Sequence, residues 1–312
     1  MGTKPLLHPL PPKGGITKKP YKPTMFKKSL LLSAGLLSFC LAFSQTTHTL
    51  LWEISGKGLA KPSYLFGTMH VLCADDANLS DSLKKVIAHC DEVYFEIDLS
   101  DMSAMLNSMK YMRMNDSKKL SDLLDTASYQ KVKTYFAQHA GLLPFGMLER
   151  FKPLLISSLI EEQNLACKTT DGMEMMIMKE LRPYKKRVNG LETVEFQAGL
   201  FDSIPYEQQA KDLLNYIDSA EEYRKMTIEL SEVYKKQDLD QIDALSTKGD
   251  PGMSGYINLL LYDRNRRWAK NLDTILPVKS LLVAVGAAHL PGENGVINLL
   301  RKKGYTLRPV KN

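Results

Sequence analysis

The pattern Gly-x-x-His occurs twice in this chain of 312 residues, each time directly after an apolar run that reads as a strand. The first run is Ser63-Tyr64-Leu65-Phe66, continuing into Gly67-Thr68-Met69-His70. The second is Leu281-Leu282-Val283-Ala284-Val285, continuing into Gly286-Ala287-Ala288-His289. A glycine at a strand end lets the backbone turn sharply or approach a neighbour closely. A histidine three residues on then stands at the rim of a sheet, where sites are commonly built. Two such turns, 219 positions apart, point to two halves of a fold, each delivering one imidazole to a shared site.

The rest of the pattern agrees. Residues 48–56, with Leu50-Leu51-Trp52-Glu53-Ile54, read as a strand, and Tyr64–Gly67 closes a hairpin with it. Leu79–Cys90 predicts a helix capped at Ser80, and Glu92–Leu99 a third strand. Residues 102–245 are mainly helical in period, over Met102–Met114, Leu120–Leu124, Ser128–His139, Phe151–Gln163, Gly172–Leu181, Val194–Asp202, Tyr206–Tyr234 and Leu239–Leu245. A short strand at Arg187–Gly190 interrupts them. Helices at Tyr262–Leu276 and Gly292–Lys303 alternate with strands at Ser280–Val285 and Tyr305–Val310. The expected fold is α+β: a small mixed sheet built from N- and C-terminal strands, flanked by helices, with the helical middle as cap. Methionines 105, 109, 112, 173, 175, 176 and 178 suit flexible core packing, with an adaptable apolar groove as the other reading.

The N-terminus accounts for the charge. The formal net charge is +6, but residues 1–44 hold seven lysines and no acid, which leaves 34 basic against 35 acidic residues beyond them. Nothing global in the remainder points to nucleic acid or an anionic surface. Lys27 and Lys28, the apolar run Leu30–Ala42 and the small-x-small triplet Ala42-Phe43-Ser44 predict an export signal over 25–44, cleaved near Ser44. The run falls short of the ~20 residues that a membrane span needs. Met25 is the expected start, and proline- and lysine-rich residues 1–24 read as upstream or added sequence. Residues 45–312 are expected as one domain with a helical insertion at about 102–245, with no transmembrane segment. Cys73, Cys90 and Cys167 remain after cleavage, read either as a Cys73–Cys90 disulfide or as three free thiols.

Two imidazoles need a third group to form an open metal site. Glu96 is the leading candidate, because a carboxylate within Val93-Tyr94-Phe95-Glu96-Ile97 is costly unless paired or metal-bound. Strand alternation sets it on one face with Tyr94 and Asp98. The alternative is a buried Glu96–Arg ion pair, with Arg264 or Arg266 as partner. Asp171 and Glu174, at a helix start, suit capping, and with Glu192, Gln197, Arg264 and Asn265 they are candidates to hydrogen-bond a ligand or orient substrate. His48, His89 and His139 lack any such setting. No GxSxG elbow, Walker loop, HExxH or dinucleotide GxGxxG is present.

These residues resemble the TraB/GumN/Tiki family, whose marks are a GTxH turn, a glutamate in the following strand and a GxxH-L turn near the C-terminus. Here they are Gly67-Thr68-Met69-His70, Glu96 and Gly286-Ala287-Ala288-His289-Leu290. The resemblance extends over about 48–312 through Asp171-Gly172-x-Glu174, Gly190-Leu191-Glu192-Thr193, Gln197, Arg264-Asn265 and Gly292-x-x-Gly295. It implies a fold related to the erythromycin-esterase and ChaN-like groups. In animals its Tiki members are metal-dependent proteases acting on secreted Wnt proteins. The expected activity is an exported metal-dependent hydrolase, a peptidase acting on a peptide or protein. Its divalent Mn, Co, Zn or Fe ion would be held by His70, His289 and Glu96. Glu96 serves as general base if it is not a ligand, and Arg264 or Asn265 steadies the oxyanion. The competing expectation is a non-catalytic peptide- or haem-binding protein of the cell envelope.

Overall fold

The computed structural model describes residues 48–139, 143–162, 165, 167, 169–248 and 255–312, together with Gly15. The export signal expected at 25–44 lies outside them, as does the segment 1–24 apart from Gly15. Among the described residues no helix is long and apolar enough to cross a membrane.

The fold is α+β. Strands β1 (Leu51–Ser55), β2 (Ser63–Thr68), β4 (Glu92–Phe95), β6 (Arg187–Gly190), β7 (Leu281–Gly286) and β8 (Thr306–Pro309) form one mixed sheet in the order β6-β4-β7-β2-β1-β8. The four strands β6, β4, β7 and β2 run parallel, and β1 and β8 add antiparallel at the other edge. Two short strands, β3 (Leu72–Cys73) and β5 (Thr170–Asp171), pair apart from it. The N- and C-terminal strands thus interleave as expected, and one strand from the helical middle, β6, joins them at the edge.

β7 is central because its five apolar residues suit a strand covered on both faces. Leu282 and Ala284 enter one core, packed with Leu83 and Ile87 of helix α1 (Asp81–His89). Leu281, Val283 and Val285 enter the other, packed with Trp268 and Leu272. A third, all-helical core around Phe151, Ile156 and Leu213 holds the cap. The helices follow in chain order: α2 (Met102–Met112), α3 (Leu120–Leu123), α4 (Thr126–Gln138), α5 (Phe145–Leu148), α6 (Pro153–Glu162) and α7 (Met173–Leu181). Then come α8 (Val194–Leu200), α9 (Tyr206–Asp218), α10 (Ala220–Lys235), α11 (Leu239–Lys248), α12 (Asp263–Ile275) and α13 (Val296–Lys302).

Four local expectations change. The helix expected over Tyr206–Tyr234 breaks at Ser219, whose backbone (φ −109°, ψ 24°) leaves the helical region. The strand expected to Leu99 ends at Phe95, and the Asp98 carboxylate turns to cap Ser100. Cys73 pairs with Cys167 across 5.6 Å between Cα atoms, not with Cys90, which is buried and free within the first core. Among the methionines, Met173 is core, but Met105 and Met175 are exposed.

Candidate functional site

The parallel half of the sheet explains why distant motifs meet. Thr68 at the end of β2 lies opposite Gly286 at the end of β7, so both Gly-x-x-His turns leave the same edge side by side. Glu96 follows the end of β4, the strand on the other flank of β7. Glu192 leaves just beyond β6, held by hydrogen bonds from Leu191 N to Phe95 O and from Glu192 N to Glu96 O (both 2.9 Å). Four neighbouring carboxyl ends therefore carry the cluster, the usual place for a site on a parallel sheet.

The two glycines act through space rather than through unusual dihedrals. A side chain at Gly67 would come within 3.1 Å of Ala287 Cα, so only glycine lets the second turn lie against β2. A Cβ at Gly286 would meet Glu96 Oε1 at 3.2 Å, His289 Cδ2 at 3.5 Å and His70 Nε2 at 3.9 Å. The two imidazoles and the carboxylate thus ring one point at the end of β7.

His289 is buried, on a single turn of 3₁₀ helix over Ala287–His289. Its Nδ1–H donates to Asn265 Oδ1 at 2.5 Å, which fixes the tautomer and leaves Nε2 unprotonated, as an acceptor. Both Asn265 amide hydrogens go to backbone carbonyls, of Asn294 (2.9 Å) and His289 (3.4 Å). Asn265 thus stands behind the ring and orients it. Trp268 packs tilted against it, with 4.4 Å between ring centroids and 41° between the planes. Burial, with Arg264 and His70 nearby and only Glu96 opposing, pushes the His289 pKa down to about 3. The ring is neutral at physiological pH.

Glu96 divides its oxygens. Oε1 accepts the Gly286 N–H at 2.8 Å and lies 3.6 Å from His289 Nε2. Oε2 accepts from Gln197 Nε2 at 3.0 Å and from Arg264 Nη2. Burial opposes its charge, but His289, Arg264, His70 and the Gly286 amide outweigh it and hold the pKa at about 2. Arg264 and Asn265 share the buried stripe of α12 with Trp268, Ala269 and Leu272. Every N–H of the guanidinium is engaged: Nε and Nη2 with Glu192, Nη2 also with Glu96, Nη1 with Leu260 O (2.9 Å) and His289 Nε2 (3.3 Å). Glu192 also accepts from Trp268 Nε1 at 3.1 Å. Buried charges survive here because each has a partner.

His70 is held differently. Its ring is open to the cleft, with 65% of the side chain exposed, and Nδ1 lies 2.8 Å from Glu174 Oε1. Burial of the surroundings opposes protonation, but Glu174 and Glu96 prevail over it and over Arg264, raising the pKa to about 9. Glu174 is itself held below the ordinary carboxylate range by His70 and the Thr68 hydroxyl, against its burial. The loop after His70 is fastened by the β3–β5 pair, the Cys73–Cys167 disulfide and a hydrogen bond from Met173 N to Met69 O at 3.1 Å. Asp171 is turned away from the cluster, to Gly172 N and Lys179.

The structure thus gathers His70, His289, Glu96, Glu174, Glu192, Gln197, Arg264 and Asn265 around Gly67, Thr68 and Gly286. Trp268 and Tyr234 escaped the sequence reading. Tyr234 is buried and donates to Gly67 O at 2.9 Å, bracing the first turn from α10. For Trp268 a signal existed, since it lies one helical turn beyond Arg264 on the same face. A cleft of about 410 Å³ opens on the cluster, between the sheet edge and helices α6, α10 and α11.

A sequence profile of the TraB/PrgY/gumN family matches residues 50–309. The chain is 23% identical to "Metalloprotease TIKI1" of Danio rerio over 83% of its own length and 62% of that protein. It is 25% identical to "Metalloprotease TIKI homolog" of Amphimedon queenslandica over 89% of its length and 65% of that protein. It is also 22% identical to "Uncharacterized protein YbaP" of Shigella flexneri over 77% and 88%. The chain thus spans under two thirds of the animal relatives' length. No solved structure matches.

Proposed function

The chain belongs to the TraB/PrgY/gumN family, and from that premise we propose that it is an exported metal-dependent peptidase, with a divalent ion held by His70, His289 and Glu96. The observation that carries this reading is the shared presetting of the two imidazoles. Each has its Nδ1 committed, to Glu174 or to Asn265, and each keeps Nε2 beside the point that Glu96 Oε1 also faces. Metal-binding histidines have this arrangement, with the far nitrogen oriented by a carboxylate or carbonyl. The relatives named metalloproteases agree with it.

The donor set fits a first-row ion in its chemistry, two imidazoles and one carboxylate. Glu96 can offer Oε1 while Oε2 keeps Gln197 and Arg264. Among the described residues no three such groups stand as a formed metal site. The cation beside His289 Nε2 is instead the Arg264 guanidinium. When bound, an ion of this class lowers the pKa of its water and polarises a carbonyl. A carboxylate at about 2 is a weak proton acceptor, which favours Glu96 as ligand over Glu96 as base. The Arg264 Nη1–H that now meets His289 Nε2 is the donor whose acceptor a bound ion takes. It is then our choice to steady a substrate oxyanion. Export is supported by the Cys73–Cys167 disulfide, since such bonds persist in oxidising compartments.

The test is elemental analysis of the purified full chain beside the His70→Ala/His289→Ala variant. About one ion per chain, lost in the variant, is expected for a single site of this kind. Retention of the ion, or of peptide cleavage, in the double variant rejects the site.

A further inference from the structure

The row of His70, Glu96 and Gln197 has a cavity on each side. The larger, of about 410 Å³, is walled by Met69, Val71, Leu230, Ile242 and Leu261. The smaller, of about 240 Å³, is walled by Phe95, Ile97, Leu99 and Met175. His70, Glu96 and Gln197 line both, so the proposed reacting centre is the partition between two apolar pockets.

We infer that the substrate is an extended peptide that crosses this row and seats one apolar side chain in each pocket, so that an internal bond is cut between two hydrophobic residues. The inference rests on the peptidase reading above for its chemistry, but not for its binding surface. A bond presented to His70 and His289 has chain continuing on both sides only if both sides are open, and both are. An enzyme that trims ends needs a charged group to hold the terminal amine or carboxylate. The smaller pocket offers none that is free, since its His70 is paired with Glu174. Its lining has no lysine or arginine, and its two carboxylates are committed, Glu174 to His70 and Glu96 to Arg264 and Gln197. In the larger pocket Glu161 is itself engaged, and Arg264 is held by Glu96, Glu192 and Leu260 O, while its remaining N–H, on Nη1, meets His289 Nε2 at the row itself, where it serves the reacting oxygen and not a chain end. What each pocket selects is therefore apolar bulk. Met175 is half exposed at the smaller pocket, and its flexible thioether suits several side-chain shapes. Leu261 takes the corresponding place in the larger one.

The experiment uses the full chain and two readouts. Fluorescent peptides with a reduced, uncleavable central bond are titrated into metal-free protein, and the matching cleavable peptides are mapped by mass spectrometry after loading with Mn, Co, Zn or Fe. The two central positions are varied independently. Internal cleavage with Phe, Leu or Met on both sides is expected. Met175→Lys should weaken binding at least tenfold for an apolar residue at one position and leave the preference at the other unchanged. Leu261→Lys should do the reverse. Removal of single terminal residues only, equal acceptance of charged residues, or the same shift from both variants overturns the inference, as does the absence of both binding and cleavage. Binding with the split preference but without cleavage under any metal upholds the two pockets and rejects the peptidase reading instead.

Discussion

The two Gly-x-x-His turns share a grammar and end in opposite surroundings. His289 sits inside the molecule, between Trp268, Asn265 and the Arg264 ion pairs, with its pKa near 3. His70 faces the cleft, held by one carboxylate and a stapled loop, with its pKa near 9. One ring is fixed by the core; the other is tethered by side-chain and disulfide ties added around it. The same short motif therefore delivers one imidazole that is already neutral and another that still holds its proton.

The largest effect should come from removing the charge that the buried half depends on. Arg264→Leu leaves Glu96 and Glu192 buried without their partner. A loss of about 3–5 kcal/mol is expected in urea unfolding of the metal-free protein. Glu174→Gln, its counterpart at the exposed ring, should cost under about 1 kcal/mol, because solvent in the cleft screens the pair. Equal losses would mean that the two halves are not built differently.

Next in size is the staple. The Cys73→Ser/Cys167→Ser variant should lose about 2–4 kcal/mol, as expected for opening a long loop. It should also weaken metal binding through His70, because the bond fastens the strand pair between His70 and Glu174. Asn265→Leu acts on the other ring. It removes the acceptor that holds the His289 tautomer, and a loss of about 10–100-fold in metal affinity is expected. If Asn265→Leu leaves affinity intact while the cysteine variant abolishes it, the core does not orient His289.

How much of this could be read from residues follows from the range of each interaction. Each Gly-x-x-His turn was legible because its apolar strand and glycine are local. Their meeting was legible only as a demand, since the register that sets Thr68 against Gly286 is a property of the assembled sheet. Glu96 stood out as a charge in an apolar run; the Arg264 partner of its ion-pair reading is in place on Oε2, and the ligand role proposed above falls to Oε1. The Cys73–Cys167 pairing left no mark, since 94 residues separate the two and nothing local draws them together. The break at Ser219 was hidden because Tyr206–Asp218 and Ala220–Lys235 are both amphipathic, and the apolar period runs through the joint.

The last effect, and the one that separates the two rings most cleanly, is in pH. His289 stays neutral in the folded chain down to about 3, whereas an unfolded histidine takes a proton near 6.5. Between those values the unfolded state holds the extra proton, so its contribution to stability is lost as pH falls below 6.5. His70 is the reverse. Folded, it keeps its proton to about 9, so its contribution is full below 6.5 and is lost as pH rises through 9. The groups facing His70 are Glu174, Glu96 and Arg264; those facing His289 are Glu96, Arg264 and His70. Glu96, with a folded value near 2, gives up its share only below about 4.5, so it overlaps the lower end of the His289 window and leaves the His70 window clear. Urea midpoints of chelator-treated protein from pH 5 to 10, above the range in which Glu96 titrates, should therefore show His289→Gln losing part of the acid limb and His70→Gln losing part of the alkaline limb. Groups distant from the cluster are common to all three proteins and cancel in the differences. A shared loss on one limb would mean that the rings titrate as one unit, and the contrast between a core-fixed and a tethered histidine would fall with it.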